Sequence, residues 1–175
     1  EHHGRALLES KFDHELAGEV IAMSIQGMKE ELENNLWERN LKRCVDFGHS
    51  FSPIIEIKSL TTDNPLTHGQ AVVLDIILSC IISQKRGVLS SGDFRRIISA
   101  TQSIGLKTFH PMFADVSFIL ESLNDSVKHR AGMQNLPIPT NIGAYIFIND
   151  LTFDEILIMV EEFKKINILP CQNSK

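Results

Sequence analysis

A mainly α-helical domain with one short β-hairpin is what this sequence predicts, on three observations. Apolar residues recur at helical spacings of three and four over much of the chain. Two capping boxes, Thr67-His68-Gly69-Gln70 and Thr152-Phe153-Asp154-Glu155, mark helix starts. Between Gly132 and Ile148 the period changes to that of strands.

The chain opens on Glu1-His2-His3-Gly4-Arg5-Ala6-Leu7-Leu8, which has no initiator Met and no N-cap signal and reads as the interior of a charged helix. The expectation is a chain whose upstream part is missing. From Phe12 to Leu32 the residues Ile21, Ile25, Met28 and Leu32 share one face, which predicts a long amphipathic helix that Asn34-Asn35 stops. Between Asn40 and Glu56 a broken helix is expected, because Gly48 weakens helix continuation and Pro53 fits a first turn; Ser52 is the candidate cap of the resumed helix. Ser59 to Pro65 reads as a loop.

After Thr67 comes a helix apolar nearly all round to Ile82 and ending at Arg86-Gly87, the expected central buried helix. Ser90 or Ser91 opens the next, with Phe94, Ile97, Ile98 and Ile104 inward and Gly105 at its end. His110-Pro111 is a turn, and Asp115 caps a shorter helix carrying Phe118, Ile119 and Leu123. Gln134 to Pro139 and Ala144 to Ile148 predict the hairpin, the prolines marking its first strand as an edge. A last helix turns Ile156, Val160 and Phe163 inward, within a single domain over residues 1–168, and a loose tail follows from Leu169.

With 175 residues, 43% of them hydrophobic and 22% charged, the chain has the size and composition of one globular domain. A formal charge of -5 argues against nucleic acid as a partner. The longest apolar run, Ala71 to Ile82, is broken by Asp75 and is too short to span a bilayer. Cys44, Cys80 and Cys171 are odd in number and form no CxxC, so neither a disulfide framework nor a zinc ribbon is expected, and a reducing cytosol fits. No GxGxxG, GxxxxGK[ST] or GxSxG occurs, so this stretch supplies neither a nucleotide loop nor a hydrolase elbow.

The chemistry centres on His49, in Asp46-Phe47-Gly48-His49, and His68, in the first turn of the central helix. The positive end of that helix favours a neutral imidazole, the form that binds metal. Spacing alone also accommodates a hydrogen-bonded core residue at His49 and an ordinary first-turn residue at His68. A catalytic zinc needs three protein ligands, and Cys44, Asp46 and Glu56 are the local candidates for the third. Lys128-His129-Arg130 reads either as a solvated face or as a phosphate or polyol site.

Three segments in this order resemble the C-terminal half of the sugar phosphate cyclases, the dehydroquinate synthase-like enzymes. They are Leu41-Lys42-Arg43-Cys44-Val45-Asp46-Phe47-Gly48-His49-Ser50-Phe51-Ser52-Pro53, then Thr67-His68-Gly69-Gln70-Ala71-Val72, then Asp125 to Arg130 with Gln134 to Pro139. Asp46, where dehydroquinate synthases carry Asn, and Pro53, where they carry a second His, are similar to the sedoheptulose 7-phosphate cyclase branch. His129 looks like the valiolone-type enzymes rather than the demethyl-4-deoxygadusol type.

The resemblance implies a homodimeric cytoplasmic lyase with an NAD-binding domain ahead of residue 1 and a helical metal- and substrate-binding domain here. It implies NAD and zinc (or cobalt) as cofactors and a small-molecule sugar phosphate as substrate. NAD transiently oxidises a hydroxyl, phosphate leaves by elimination, hydride returns and an aldol step closes the ring. By the same resemblance His49 and His68 are metal ligands, and the third ligand is a glutamate before residue 1. Lys42 and Asp46 are catalytic, Lys128, His129 and Arg130 bind substrate, and Gln70 stands where Glu is usual. The alternatives are a dehydroquinate or demethyl-4-deoxygadusol synthase and a non-catalytic helical remnant.

Overall fold

The computed structural model describes residues 3–13, 15–37 and 39–166, and the expected loose tail lies outside them. Among these residues, seven α-helices and one two-stranded antiparallel hairpin follow in the order α1 (Gly4–Glu9), α2 (Ala17–Glu33), α3 (Ser52–Ser59), α4 (His68–Lys85), α5 (Ser91–Ser103), α6 (Val116–His129), β1 (Leu136–Asn141), β2 (Ala144–Ile148) and α7 (Phe153–Ile166). Two 3-10 turns, Cys44–Asp46 and Pro111–Ala114, precede α3 and α6. The mainly α class with one hairpin is thus the observed architecture.

Helix α4 is the axis. It has the reciprocal Thr67/Gln70 capping box at its start, and Gly87, at φ +70°, lets the chain turn away past its end. Leu74, Ile77, Leu78 and Ile81 are buried along one face, and Asp75, Ser79, Cys80 and Ser83 are buried on the others, so the middle of the helix is enclosed nearly all round. Around it pack α3, α5, α7 and β1, and α6 closes over α3 and α7. The core is continuous from Phe51 and Ile55 through α4 to Phe113, Ile119, Ile156 and Phe163.

The hairpin pairs Leu136 with Ile148 and Pro139 with Tyr145, with an irregularity between Pro139 and Asn141. The prolines of β1 cost the sheet nothing, since β2 flanks it on one side only and helix α4 covers it. Ser83 on α4 donates to the Pro139 carbonyl there. Beyond β2, Arg86 at the end of α4 pairs with Asp150 at 2.7 Å and Glu155 at 2.7 Å, which locks the start of α7. That guanidinium holds the Glu155 carboxyl down at about 2. Thr152 and Glu155 form the second capping box.

Three local expectations are corrected. The first long helix starts at Ala17, not Phe12, because Lys11 and Phe12 take left-handed φ values of 53° and 65° that stop α1 and reverse the chain. Its apolar face is also exposed, with Ile25 64% and Trp37, just beyond its end, 84% accessible. Ser52 is the first residue of α3, not its cap, and its hydroxyl donates 2.7 Å to the Gly48 carbonyl. Finally, the Asp115-capped helix spans 14 residues and is no shorter than α5 with 13.

Candidate functional site

Between the Cys44–Asp46 turn and α3 the backbone makes a tight bend that only glycine allows. Gly48 sits at φ +84°, and a Cβ there would lie 2.8 Å from Val72 Cγ1 and 3.2 Å from the Val72 carbonyl oxygen. The bend therefore rests directly on the second turn of α4. This brings His49 to His68, with ring centroids 5.3 Å apart and planes inclined by 46°.

Each imidazole is oriented by an oxygen acceptor on the same nitrogen. His68 Nδ1 lies 2.9 Å from Glu56 Oε2 of α3, and His49 Nδ1 lies 3.4 Å from the Phe47 carbonyl oxygen. Carboxylate and carbonyl oxygens can only accept, so Nδ1 carries the proton in both rings, and Nε2 is the nitrogen that each ring offers to a metal. An outer oxygen on one nitrogen that fixes the tautomer for metal binding by the other is the usual support of a ligating histidine. The donor set present fits a divalent metal of the zinc type through two nitrogens.

A third ligand does not join them. Among the described residues no three His, Cys, Asp or Glu side chains converge on one point. Glu56 is engaged with His68. Asp46 is buried and paired with Arg43 at 2.8 Å and Arg130 at 3.3 Å. Cys44 faces Tyr145, and burial pushes its thiol up, away from the thiolate that would ligate.

The loop that carries His49 is held from two helices. From α4, the fully buried carboxylate of Asp75 accepts the backbone N–H groups of Phe51 at 2.5 Å and Ser52 at 2.7 Å. It thereby caps α3 from 23 residues away. Burial raises the Asp75 carboxyl to about 6, against the lowering pull of those amides and of Arg130. From α6, Ser126 donates 2.8 Å to the Ser50 carbonyl. Arg130, just after α6, donates 3.3 Å to the His49 carbonyl and 2.9 Å to that of Gln134.

The structure therefore brings Asp46, His49, His68 and Arg130 into one neighbourhood. Arg130 is only 4% accessible, its guanidinium spent on Asp46 and on main-chain carbonyls, and burial lowers its pKa. Lys128 and His129 stand exposed on the last turn of α6, with His129 Nε2 3.7 Å from Asp125. Lys42 is exposed in an extended segment, where it lines a polar cavity of about 370 Å³ with Asn34, Asn40, Arg43 and Tyr145. Asp75 was not among the residues singled out from sequence. The signal was there, since one carboxylate inside an otherwise apolar helix requires buried donors.

The domain thus presents two oriented imidazoles beside a set of cations, with no third ligand joining them among the described residues. The chain belongs to the 3-dehydroquinate synthase C-terminal family, whose profile matches residues 3–129. It is 40% identical over 158 residues to a 2-epi-5-epi-valiolone synthase of Streptomyces albus, covering 87% of this chain and 38% of that protein. It is 29% identical over 174 residues to a demethyl-4-deoxygadusol synthase of Trichormus variabilis, covering 95% of this chain and 42% of that protein. Among solved structures, ValA, the 2-epi-5-epi-valiolone synthase of Streptomyces hygroscopicus subsp. jinggangensis with NAD+ and Zn2+ bound, superposes with a TM-score of 0.86 at 37% identity. That match covers 93% of this chain and 44% of ValA. The chain spans about two fifths of the length of the curated relatives it matches.

Proposed function

We propose that this chain is the C-terminal part of a sugar phosphate cyclase that converts sedoheptulose 7-phosphate into 2-epi-5-epi-valiolone with loss of phosphate. The observation that carries the reading is the pair His49 and His68, each fixed through Nδ1 with Nε2 left to ligate. The choice among cyclases is supported by 40% identity to a 2-epi-5-epi-valiolone synthase, against 29% to a demethyl-4-deoxygadusol synthase and 26% to a 3-dehydroquinate synthase.

In this reading His49 and His68 hold zinc or cobalt together with a glutamate from the part of the protein ahead of residue 1, where the NAD-binding domain also lies. Zinc supplies Lewis-acid polarisation of a substrate oxygen, and NAD supplies a reversible hydride acceptor. Lys42, Lys128 and His129 anchor phosphate and hydroxyls by charge-assisted hydrogen bonds. Asp46 takes part in proton handling at the reacting carbons, its position set by Arg43 and Arg130. Arg130 acts on the substrate side through Asp46 and the His49 carbonyl, both of which it holds. The enzyme is a cytoplasmic homodimer, and residues 1–175 alone, with two of three metal ligands and no nucleotide loop, do not turn over.

The test is phosphate release from sedoheptulose 7-phosphate by the longest natural version of the protein, supplied with NAD and zinc, with the cyclic product identified. A valiolone-type product is expected. Release from the dehydroquinate synthase substrate instead would move the protein to the neighbouring branch. His68→Ala should abolish both bound zinc and turnover while leaving the helical signal intact, and retained zinc would remove His68 from the ligand set.

A further inference from the structure

Helix α4 carries His68 in its first turn and Asp75 seven residues on, so the two project from the same side about 10 Å apart along the axis. His49 reaches α4 only through its loop. The side-chain ties that α4 and the α6 segment make to that loop divide between carbonyls and amides. Its carbonyls at His49 and Ser50 are taken by Arg130 and Ser126 of the α6 segment. Its amides at Phe51 and Ser52 are taken by Asp75 of α4. The α6 ties fix the loop to a helix that carries neither candidate ligand. Among these side-chain ties, the one at Asp75 joins the His49 loop to the helix that bears His68.

We propose that Asp75 is a positioning residue: its carboxylate clamps the His49 loop onto α4 and so sets the separation at which His49 and His68 face one another. This rests on the reading of the two histidines as zinc ligands. Zn–N bonds of about 2.0–2.1 Å and placement within about 0.5 Å leave little room for a loop to slide. Gly48 provides the close approach to Val72, and Asp75 keeps it from drifting along the helix. Both amides donate to the same oxygen, Oδ2, and the negative charge of the carboxylate makes each of those hydrogen bonds stronger than a neutral amide oxygen would.

The experiment uses the longest natural version of the protein and two variants, Asp75→Ala and Asp75→Asn, with one metal-free and one metal-dependent readout. In the metal-free wild type, the 5.3 Å between rings should give a nuclear Overhauser contact between His49 and His68. Asp75→Ala should lose that contact while circular dichroism stays native, and should bind zinc about 10- to 100-fold more weakly in a chelator competition. Asp75→Asn, which keeps an acceptor but no charge, should fall between on both readouts. It should also speed amide exchange at Phe51 and Ser52 selectively. If Asp75→Ala does not fold, the intermediate behaviour of Asp75→Asn decides.

A ring contact and a zinc affinity unchanged in both variants would overturn the proposal. A wild type that shows the ring contact yet binds no zinc would overturn the metal reading, and loss of the contact in Asp75→Ala would then still establish the clamp.

Discussion

Helices α2 and α4 are nearly equal in length, 17 and 18 residues, and opposite in fate. Helix α4 is apolar nearly all round and buried over most of its length, with Leu74, Ile77 and Leu78 inaccessible. Helix α2 has a clear apolar face, yet Val20, Ile21, Ile25 and Met28 all stand in solvent, and its main contact with the rest is at the Cys44–Asp46 turn. The periodicity of a helix states which side asks for burial; it does not state that the burying surface lies in the same stretch of chain.

The comparison can be broken by mutation, with the largest effect in α4. Leu74→Ala should lower the unfolding free energy by about 3 kcal/mol, the cost of a lost transfer plus a cavity in a core that cannot collapse, read by urea denaturation. Next comes Gly48→Ala, which forces a left-handed alanine against Val72 and should cost about 2 kcal/mol while displacing His49. That substitution should weaken zinc binding more than Leu74→Ala does, although it destabilises less. Ile25→Ser in α2 should change stability by less than about 0.5 kcal/mol in the 175-residue chain. A loss at Ile25 close to that at Leu74 would show that α2 packs on something in solution.

The same two helices show where sequence reasoning reached and where it stopped. Helix α4 was legible in full because its signals are local: a reciprocal capping box, a long run that is apolar but for Asp75 and Ser79, and a glycine beyond the end. The hairpin was legible for a similar reason, its period and its prolines standing within a few residues of each other. The reversal at Lys11 and Phe12 was not, because neither residue is a typical left-handed former and the apolar spacing continues through it.

At the site, the histidines could be named from their motifs, but their supports could not. Asp75 reaches 23 and 24 residues back to cap α3, and Arg130 reaches 81 residues back to the His49 carbonyl. Ser52 looked like the cap because Ser before Pro so often is one, whereas here the cap comes from another helix. Lys128-His129-Arg130 looked like one cationic patch. The end of α6 divides it, leaving Lys128 and His129 outside and turning Arg130 inward to Asp46.

The separation in sequence of the groups that tie down the His49 loop also bears on the order of events in folding. Contacts spanning 24, 76 and 81 residues close only after the intervening chain has condensed. Local helices such as α4 form early, and the bend at Gly48 is among the last parts to settle. A growing chain therefore cannot hold His49 against His68 through this full set of ties until Arg130 has left the ribosome.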